Sequence, residues 1–155
     1  MSFQVYALDE TQFKKYFTMY EAELAENNAQ LEVVQEHPRT PCRVSLDDAQ
    51  IGETVALMNY THQTGASPYK SSHAISVRKD VKAVQLPPGT IPHVLYSRLM
   101  SVRGFDQNHM MIAADVVDGE ELQNTIETFF ADTEVDYIHL HNAKPGCFAA
   151  KVTRA

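Results

Sequence analysis

A polar loop with a histidine at each end is the part of this sequence best suited to chemistry. His62 precedes the loop, Ser72 and His73 close it, and Ser67-Pro68-Tyr69 lies between them. Imidazoles, hydroxyls and a phenol can hydrogen-bond a ligand, and binding residues are often carried by loops at strand ends. The flanking runs 54–61 and 73–79 suit an antiparallel pair, which would bring both histidines to its mouth. The alternative is a solvated hairpin loop whose histidines cap the strand ends.

A second pair of histidines, His139 and His141, is spaced two residues apart in a run typical of a strand. Alternate strand residues project from the same face, so both imidazoles share a face with Tyr137. With His62 or His73 added, they would complete a three-histidine zinc or iron site. However, no Asp or Glu stands at a fixed spacing to them, and seven histidines in 155 residues give such pairs by chance. We therefore expect hydrogen-bonded strand histidines and assign no metal.

Three cations are candidates for binding an anion beside these histidines, namely Arg43, Arg103 and Lys144. The planar fork of arginine matches a carboxylate or a phosphate. An internal acid is the alternative partner, because Asp115 on a following strand would form a natural buried pair with Arg103.

Two cysteines, Cys42 and Cys147, are the candidate nucleophiles. Arg43 follows the first and Lys144 precedes the second, and a neighbouring cation favours a thiolate. A nucleophile also needs a base within reach, so we interpret both as small, half-buried residues at strand starts. Two cysteines do not make a secreted disulfide framework, and we expect free thiols rather than a disulfide.

The elements predict an α+β fold, a single domain over 1–155 with a largely antiparallel sheet and two main helices packed against it. The first helix is predicted to start with a cap at Asp9 and to end at Asn27-Asn28, with an aromatic stripe at helical spacing, and the second begins with a capping box at Asp118. Pro145-Gly146 suits a tight turn between two closing strands. The predicted strands are 3–8, 31–34, 42–46, 54–61, 73–79, 110–117, 135–141 and 148–152, and the segment 92–105 fits helix or strand.

Composition excludes several classes of function. The net charge of −7 disfavours binding to nucleic acid or to an anionic lipid surface. No secretory signal opens the chain and no apolar run approaches the twenty residues of a membrane span, so we expect a cytoplasmic protein. Phosphate loops, nucleophile elbows, paired redox cysteines and zinc-protease motifs are all missing from the sequence.

The chain also resembles a known family along nearly its whole length. The matching residues are Pro41-Cys42-Arg43-Val44-Ser45-Leu46, Gly52-Glu53, Tyr60-x-His62, Ser67-Pro68-Tyr69, Ser72-His73-Ala74-Ile75, Arg98, Arg103-x-Phe105-Asp106, Met110-Met111, Asp115-Val116-Val117-Asp118-Gly119 and His139-x-His141-Asn142-Ala143-x-Pro145-Gly146-Cys147. They resemble the bacterial domain-of-unknown-function family 1203. The resemblance implies a small bacterial protein of one domain, and it implies no activity, cofactor or substrate.

These observations favour a binding module for a small anionic molecule. We expect His62, Tyr69, Ser72 and His73 at the rim of a pocket, with Arg43 or Arg103 supplying charge. The opposite wall is expected to hold His139, His141 and Lys144. One alternative is a small enzyme that uses a cysteine thiolate or a histidine-bound metal. Another is an interaction subunit without a pocket, which would form a homo-oligomer.

Overall fold

The structure, a computed structural model, describes residues 2–155 and has the predicted α+β architecture. Within these residues, eight strands form two antiparallel sheets. The chain divides into two compact units, the first comprising 2–6, 61–73 and 85–155 and the second 7–60 and 74–84. The expectation of a single domain stays a prediction. No helix in the described part of the chain is long and apolar enough to cross a membrane.

A five-stranded sheet forms the first unit, in the spatial order β1-β8-β7-β5-β6. Its strands are β1 (Phe3–Tyr6), β5 (Leu99–Phe105), β6 (Met111–Asp118), β7 (Tyr137–Asn142) and β8 (Phe148–Arg154). Every neighbouring pair is antiparallel. The central position of β7 explains why all six of its residues are buried.

One face of this sheet packs against the helix α3 (Leu122–Ala131). Leu122, Ile126 and Phe130 recur at helical spacing and are fully buried, as are Val102, Ile138 and Leu140 on the strands. Gly104 leaves room for the helix, since a Cβ there would lie 3.2 Å from the Phe129 ring. This face is the hydrophobic core of the first unit.

The opposite face of the same sheet carries polar side chains. In the β5–β7 register, Arg103 lies opposite His139, Ser101 opposite His141 and Phe105 opposite Tyr137. Opposed residues of an antiparallel pair project to the same side, with Cβ atoms about 5 Å apart. The register therefore gathers arginine, histidine and tyrosine on one surface.

A three-stranded sheet in the order β2-β3-β4 is the main element of the second unit. Its strands are β2 (Ala29–Val33), β3 (Thr54–Gln63) and β4 (Ser71–Arg78), and the last residues of β3 and the first of β4 belong to the first unit. The predicted pairing of the runs 54–61 and 73–79 is thus confirmed.

The predicted first helix is broken into three short pieces. Two 3₁₀ turns, Glu10–Gln12 and Lys14–Thr18, precede the helix α1 (Glu21–Glu26), which ends at Asn27 as expected. Met19 and Tyr20 take extended backbone angles between them. Threonine and aromatic residues are weak helix formers, and they fill much of this stretch. Phe13 is buried, whereas Tyr20 is 81% exposed, so the aromatic stripe forms no single face.

The strand predicted over 42–46 is wrong. Cys42 makes one isolated bridge to Ser76, and the chain then turns, with the Leu46 amide bonded to the Cys42 carbonyl and a φ of 51° at Leu46. All the residues of this segment except Ser45 are buried, Arg43 included. An alternating pattern predicts a strand only when its two sides differ in exposure, which is not the case here.

Three further predictions concern the segment 92–105, the start of α3 and the turn between β7 and β8. The stretch 92–105 is both helix and strand, with α2 (His93–Tyr96) followed by β5. Asp118 makes no side-chain cap, and a 3₁₀ turn, Gly119–Glu121, leads into α3 instead. Gly146 takes a φ of 81° in the β7–β8 turn, which is the positive angle that the Pro-Gly pattern predicts.

Candidate functional site

Three histidines meet on the polar face of the five-stranded sheet. One ring nitrogen from each of His62, His139 and His141 lies within 4.8 Å of those of the other two. The His62 ring is edge-on to the His141 ring, with 4.8 Å between their centroids, and 6.2 Å from the His139 ring. His139 and His141 are almost inaccessible, 4% and 1% exposed, and His62 is half-buried. The prediction that His139 and His141 project from the same face of one strand is confirmed.

Several nitrogens of this histidine cluster lack hydrogen-bond partners. Nδ1 of His62 and Nδ1 of His139 are buried and unpaired among the described residues. Nε2 of His62 is 3.3 Å from the Ser71 hydroxyl. Nδ1 of His141 lies 2.9 Å from the Gly146 carbonyl, which only accepts, so this nitrogen carries the proton and Nε2 keeps its lone pair.

All three imidazoles are neutral at physiological pH. Burial lowers the pKa of His139 and of His141 to about 3, from the usual 6.5, with neighbouring histidines and Arg103 adding to the shift. Burial, Arg103 and His73 lower the pKa of His62 to about 4. The cluster therefore presents lone pairs rather than positive charge.

Arg103 is the half-buried cation of this face, and it lacks an acidic partner among the described residues. Lys151 on β8 lies opposite His139 on the same face, but it is exposed and its Nζ is 4.7 Å from the Tyr137 ring centroid. The Nε of Arg103 donates to the Ser101 hydroxyl at 3.1 Å, and its two terminal nitrogens have no partner within residues 2–155. Half-burial lowers the pKa of the guanidinium. The predicted pair with Asp115 is wrong, because Asp115 lies opposite Val102 and therefore projects to the other side of the sheet from Arg103. The Asp115 carboxylate accepts instead from the Val116 amide.

Aromatic rings enclose the histidine cluster. Phe148 stacks on His62 with 5.6 Å between ring centroids and an interplanar angle of 7°, and it meets His139 edge-on at 5.1 Å. Phe105 lies 5.2 Å from the His139 ring. An apolar surround with few convergent polar groups is the usual composition of a ligand site.

A hydrogen-bonded network that sequence reasoning missed supports the loop beside His62. The Tyr137 hydroxyl accepts from the Gln63 amide at 2.9 Å and lies 2.7 Å from Nδ1 of His109. The Gln63 carbonyl oxygen accepts from the Gly65 amide, and Ser67 donates to the His109 carbonyl. Gln63 lies among other polar residues, Thr61, His62 and Thr64, and nothing in the sequence distinguished it from them, whereas Tyr137 was already placed beside the histidines.

The other predicted site residues lie in different settings. His73 is half-buried, and its Nε2 lies 4.0 Å from the position that a Cβ on Gly146 would take. It contributes to the lowered pKa of His62 and of His141. Tyr69 is exposed and edge-on to Phe105 at 6.2 Å. Ser72 and Lys144 are exposed. Arg43 belongs to the second unit, where it is buried and donates to the Pro41 carbonyl at 2.5 Å.

Both cysteines are free, as expected, but they are buried rather than half-buried. The Cys42 sulfur accepts from the Ser45 and Arg78 amides. The Cys147 sulfur accepts from the Asn142 side chain at 3.4 Å. Each thiol is thus engaged within its own unit.

A separate cleft of about 380 Å³ opens in the first unit at the start of β5. Its lining residues are His93, Tyr96, Ser97, Arg98, Leu99, Asp118, Gly119 and Glu120. None of them was a predicted site residue, and the Arg98 guanidinium already donates to the Val94 carbonyl at 2.9 Å.

Comparison with known families identifies the chain as a member of one of them. Residues 39–154 match the family described as protein of unknown function (DUF1203), so the chain belongs to that family and the resemblance seen in the sequence is confirmed. The matched range includes the three histidines and Arg103. No curated protein and no solved structure matches the chain.

Proposed function

We propose that this protein binds a small oxyanion, a carboxylate or a phosphate, at Arg103 on the polar face of the five-stranded sheet. The observation that carries the proposal is a half-buried guanidinium whose terminal nitrogens have no partner among residues 2–155. An uncompensated cation at such a site is costly, and a bidentate oxyanion would satisfy both nitrogens.

The surroundings of Arg103 also favour an anion. The three histidines beside it are neutral, and no carboxylate belongs to their cluster. Cys42 and Cys147 are both buried and both accept hydrogen bonds, which favours anion binding over thiolate chemistry. We also infer a bacterial, cytoplasmic setting, in which free thiols persist.

Calorimetric titration of metal-stripped protein with sodium acetate and with inorganic phosphate tests the proposal. We expect one site for at least one of the two anions, weakened at least about tenfold in Arg103→Gln, because a charge-assisted bidentate pair contributes more than 1.4 kcal/mol. Arg39→Gln is the matched control, since Arg39 is exposed and paired with Glu36. Absence of binding by the wild type, or equal binding by Arg103→Gln, would overturn the proposal.

Stability separates a binding role of Arg103 from a structural one. Arg103 makes one side-chain hydrogen bond and no ion pair within the described chain, so Arg103→Gln is expected to unfold at the same temperature as the wild type or higher. If Arg103 had a structural role, Arg103→Gln would unfold at a lower temperature than the wild type.

A further inference from the structure

The unpaired nitrogens of the histidine cluster have a consequence beyond anion binding. Nδ1 of His62 and Nδ1 of His139 are buried without a partner in residues 2–155, and Nε2 of His141 has a free lone pair because its Nδ1 donates to Gly146. A buried polar atom left unpaired costs about 1–3 kcal/mol. Two such atoms, with the lone pair of His141 on the neighbouring ring, indicate a common partner that is not part of the protein.

The spacing of these rings fits one metal ion. The ligand nitrogens lie within 4.8 Å of one another. Around a tetrahedral ion with bonds of about 2.0–2.1 Å, ligand nitrogens are about 3.3 Å apart. Coordination would therefore require ring rotations that bring the nitrogens closer by up to about 1.5 Å.

Other partners explain the cluster less well. A proton relay through the rings needs hydrogen bonds that link them, and none joins His62, His139 and His141 among the described residues. Direct pairing between the rings is not made either, because Nδ1 of His62 and Nδ1 of His139 have no hydrogen-bond partner in the described residues. One bridging water has two protons and cannot donate to three imidazole lone pairs at once, whereas one metal ion can accept all three.

The surroundings of the cluster match those of metal-bound histidines. A ligating imidazole usually donates its other ring N–H to a carbonyl or a carboxylate, as His141 does to Gly146. The Ser71 hydroxyl lies 3.3 Å from Nε2 of His62 and would accept from that nitrogen if Nδ1 of the ring bound a metal.

We propose that His62, His139 and His141 are the protein ligands of a divalent transition-metal ion, with zinc the first candidate. Three imidazoles without a carboxylate suit zinc, iron, nickel or copper and exclude calcium and magnesium. Three ligands leave a coordination position open, which is typical of catalytic rather than structural zinc. Arg103, opposite His139, would direct an anionic ligand to that position. The inference concerns the site of the proposed function, yet it does not require an anion to bind.

Zinc titration of the full chain tests this site. Metal-stripped protein in a buffer free of carboxylate and phosphate is titrated with zinc chloride against a chromophoric chelator. We expect one equivalent to bind, and His139→Gln and His141→Gln each to lose at least about 100-fold in affinity, because even the outer partners of metal ligands contribute 10–100-fold. Cobalt is expected to give the intense visible absorption of a tetrahedral centre.

Matched variants keep the result decisive. His93→Gln replaces an exposed histidine of the same unit and is expected to bind zinc like the wild type. If the buried variants fail to fold, His62→Gln decides, because its ring is only half-buried. Absence of a tight equivalent in the wild type, or unchanged zinc affinity in His62→Gln, would overturn the metal site. The anion site is tested on metal-free protein and the metal site without an anion, so either proposal can fail while the other holds.

Discussion

Arg103 lies directly opposite His139 across the β5–β7 ladder, so a half-buried guanidinium and a buried neutral imidazole share one face of the sheet. The other face at the same level is aliphatic, with Val102 opposite Leu140. Hydrophobic packing alone does not explain why imidazole nitrogens without partners are buried beside a cation. The pairing therefore supports a ligand site rather than a purely structural sheet.

The buried histidines predict an acid-sensitive stability of the metal-free protein. The unfolded chain takes up protons near pH 6.5, whereas His139 and His141 resist protonation down to about pH 3. Stability is therefore complete above pH 6.5 and is lost as the pH falls towards 3, by up to about 1.4 kcal/mol per pH unit for each histidine. Arg103 from β5, Lys151 from β8, and His62 oppose protonation of His139.

Urea unfolding at pH 7.5, 6 and 5 measures this slope. The double variant His139→Gln/His141→Gln is expected to show a smaller change of the free energy of unfolding with pH. The control His93→Gln is expected to show the same change as the wild type. A wild-type free energy of unfolding that stays constant from pH 7.5 to 5 would show that these histidines are not buried in neutral form.

The Tyr137 hydroxyl is expected to stabilise the loop beside His62. Tyr137→Phe removes the acceptor of the Gln63 amide, and Gln63 is only 3% exposed. An unpaired buried donor costs about 1–3 kcal/mol, so thermal unfolding is expected at a lower temperature. Tyr20→Phe, at a residue 81% exposed, is the control and is expected to have no effect. Equal unfolding temperatures for Tyr137→Phe and the wild type would refute the network.

Gly119 is expected to tolerate no side chain. A Cβ at this position would lie 2.2 Å from the Tyr96 carbonyl oxygen and 2.3 Å from that of Leu95. Because both obstacles are backbone atoms, Gly119→Ala must displace α2 and is expected to cost about 3 kcal/mol in urea unfolding. Glu120→Ala at the adjacent exposed residue is the control, and a variant Gly119→Ala as stable as the wild type would contradict this packing.

The sequence was sufficient for the fold class and for half of the site. A period of two correctly grouped Tyr137, His139 and His141, and the flanking apolar runs correctly paired the strands that carry His62. The sequence could not align β5 with β7 or β6, because register depends on the packing of the whole sheet. Arg103 was therefore paired with Asp115, on the wrong side. The buried turn at 42–46 mimicked a strand for a related reason, since burial on both sides removes the information in alternation.

A crystal structure of the protein grown with zinc acetate, with data collected at the zinc absorption edge, tests the account most directly. We expect one strong anomalous peak about 2.0–2.1 Å from a nitrogen of each of His62, His139 and His141, with an acetate between the ion and the Arg103 guanidinium. Zinc bound only at exposed histidines such as His37 or His93, with these three rings unligated and no anion at Arg103, would contradict it.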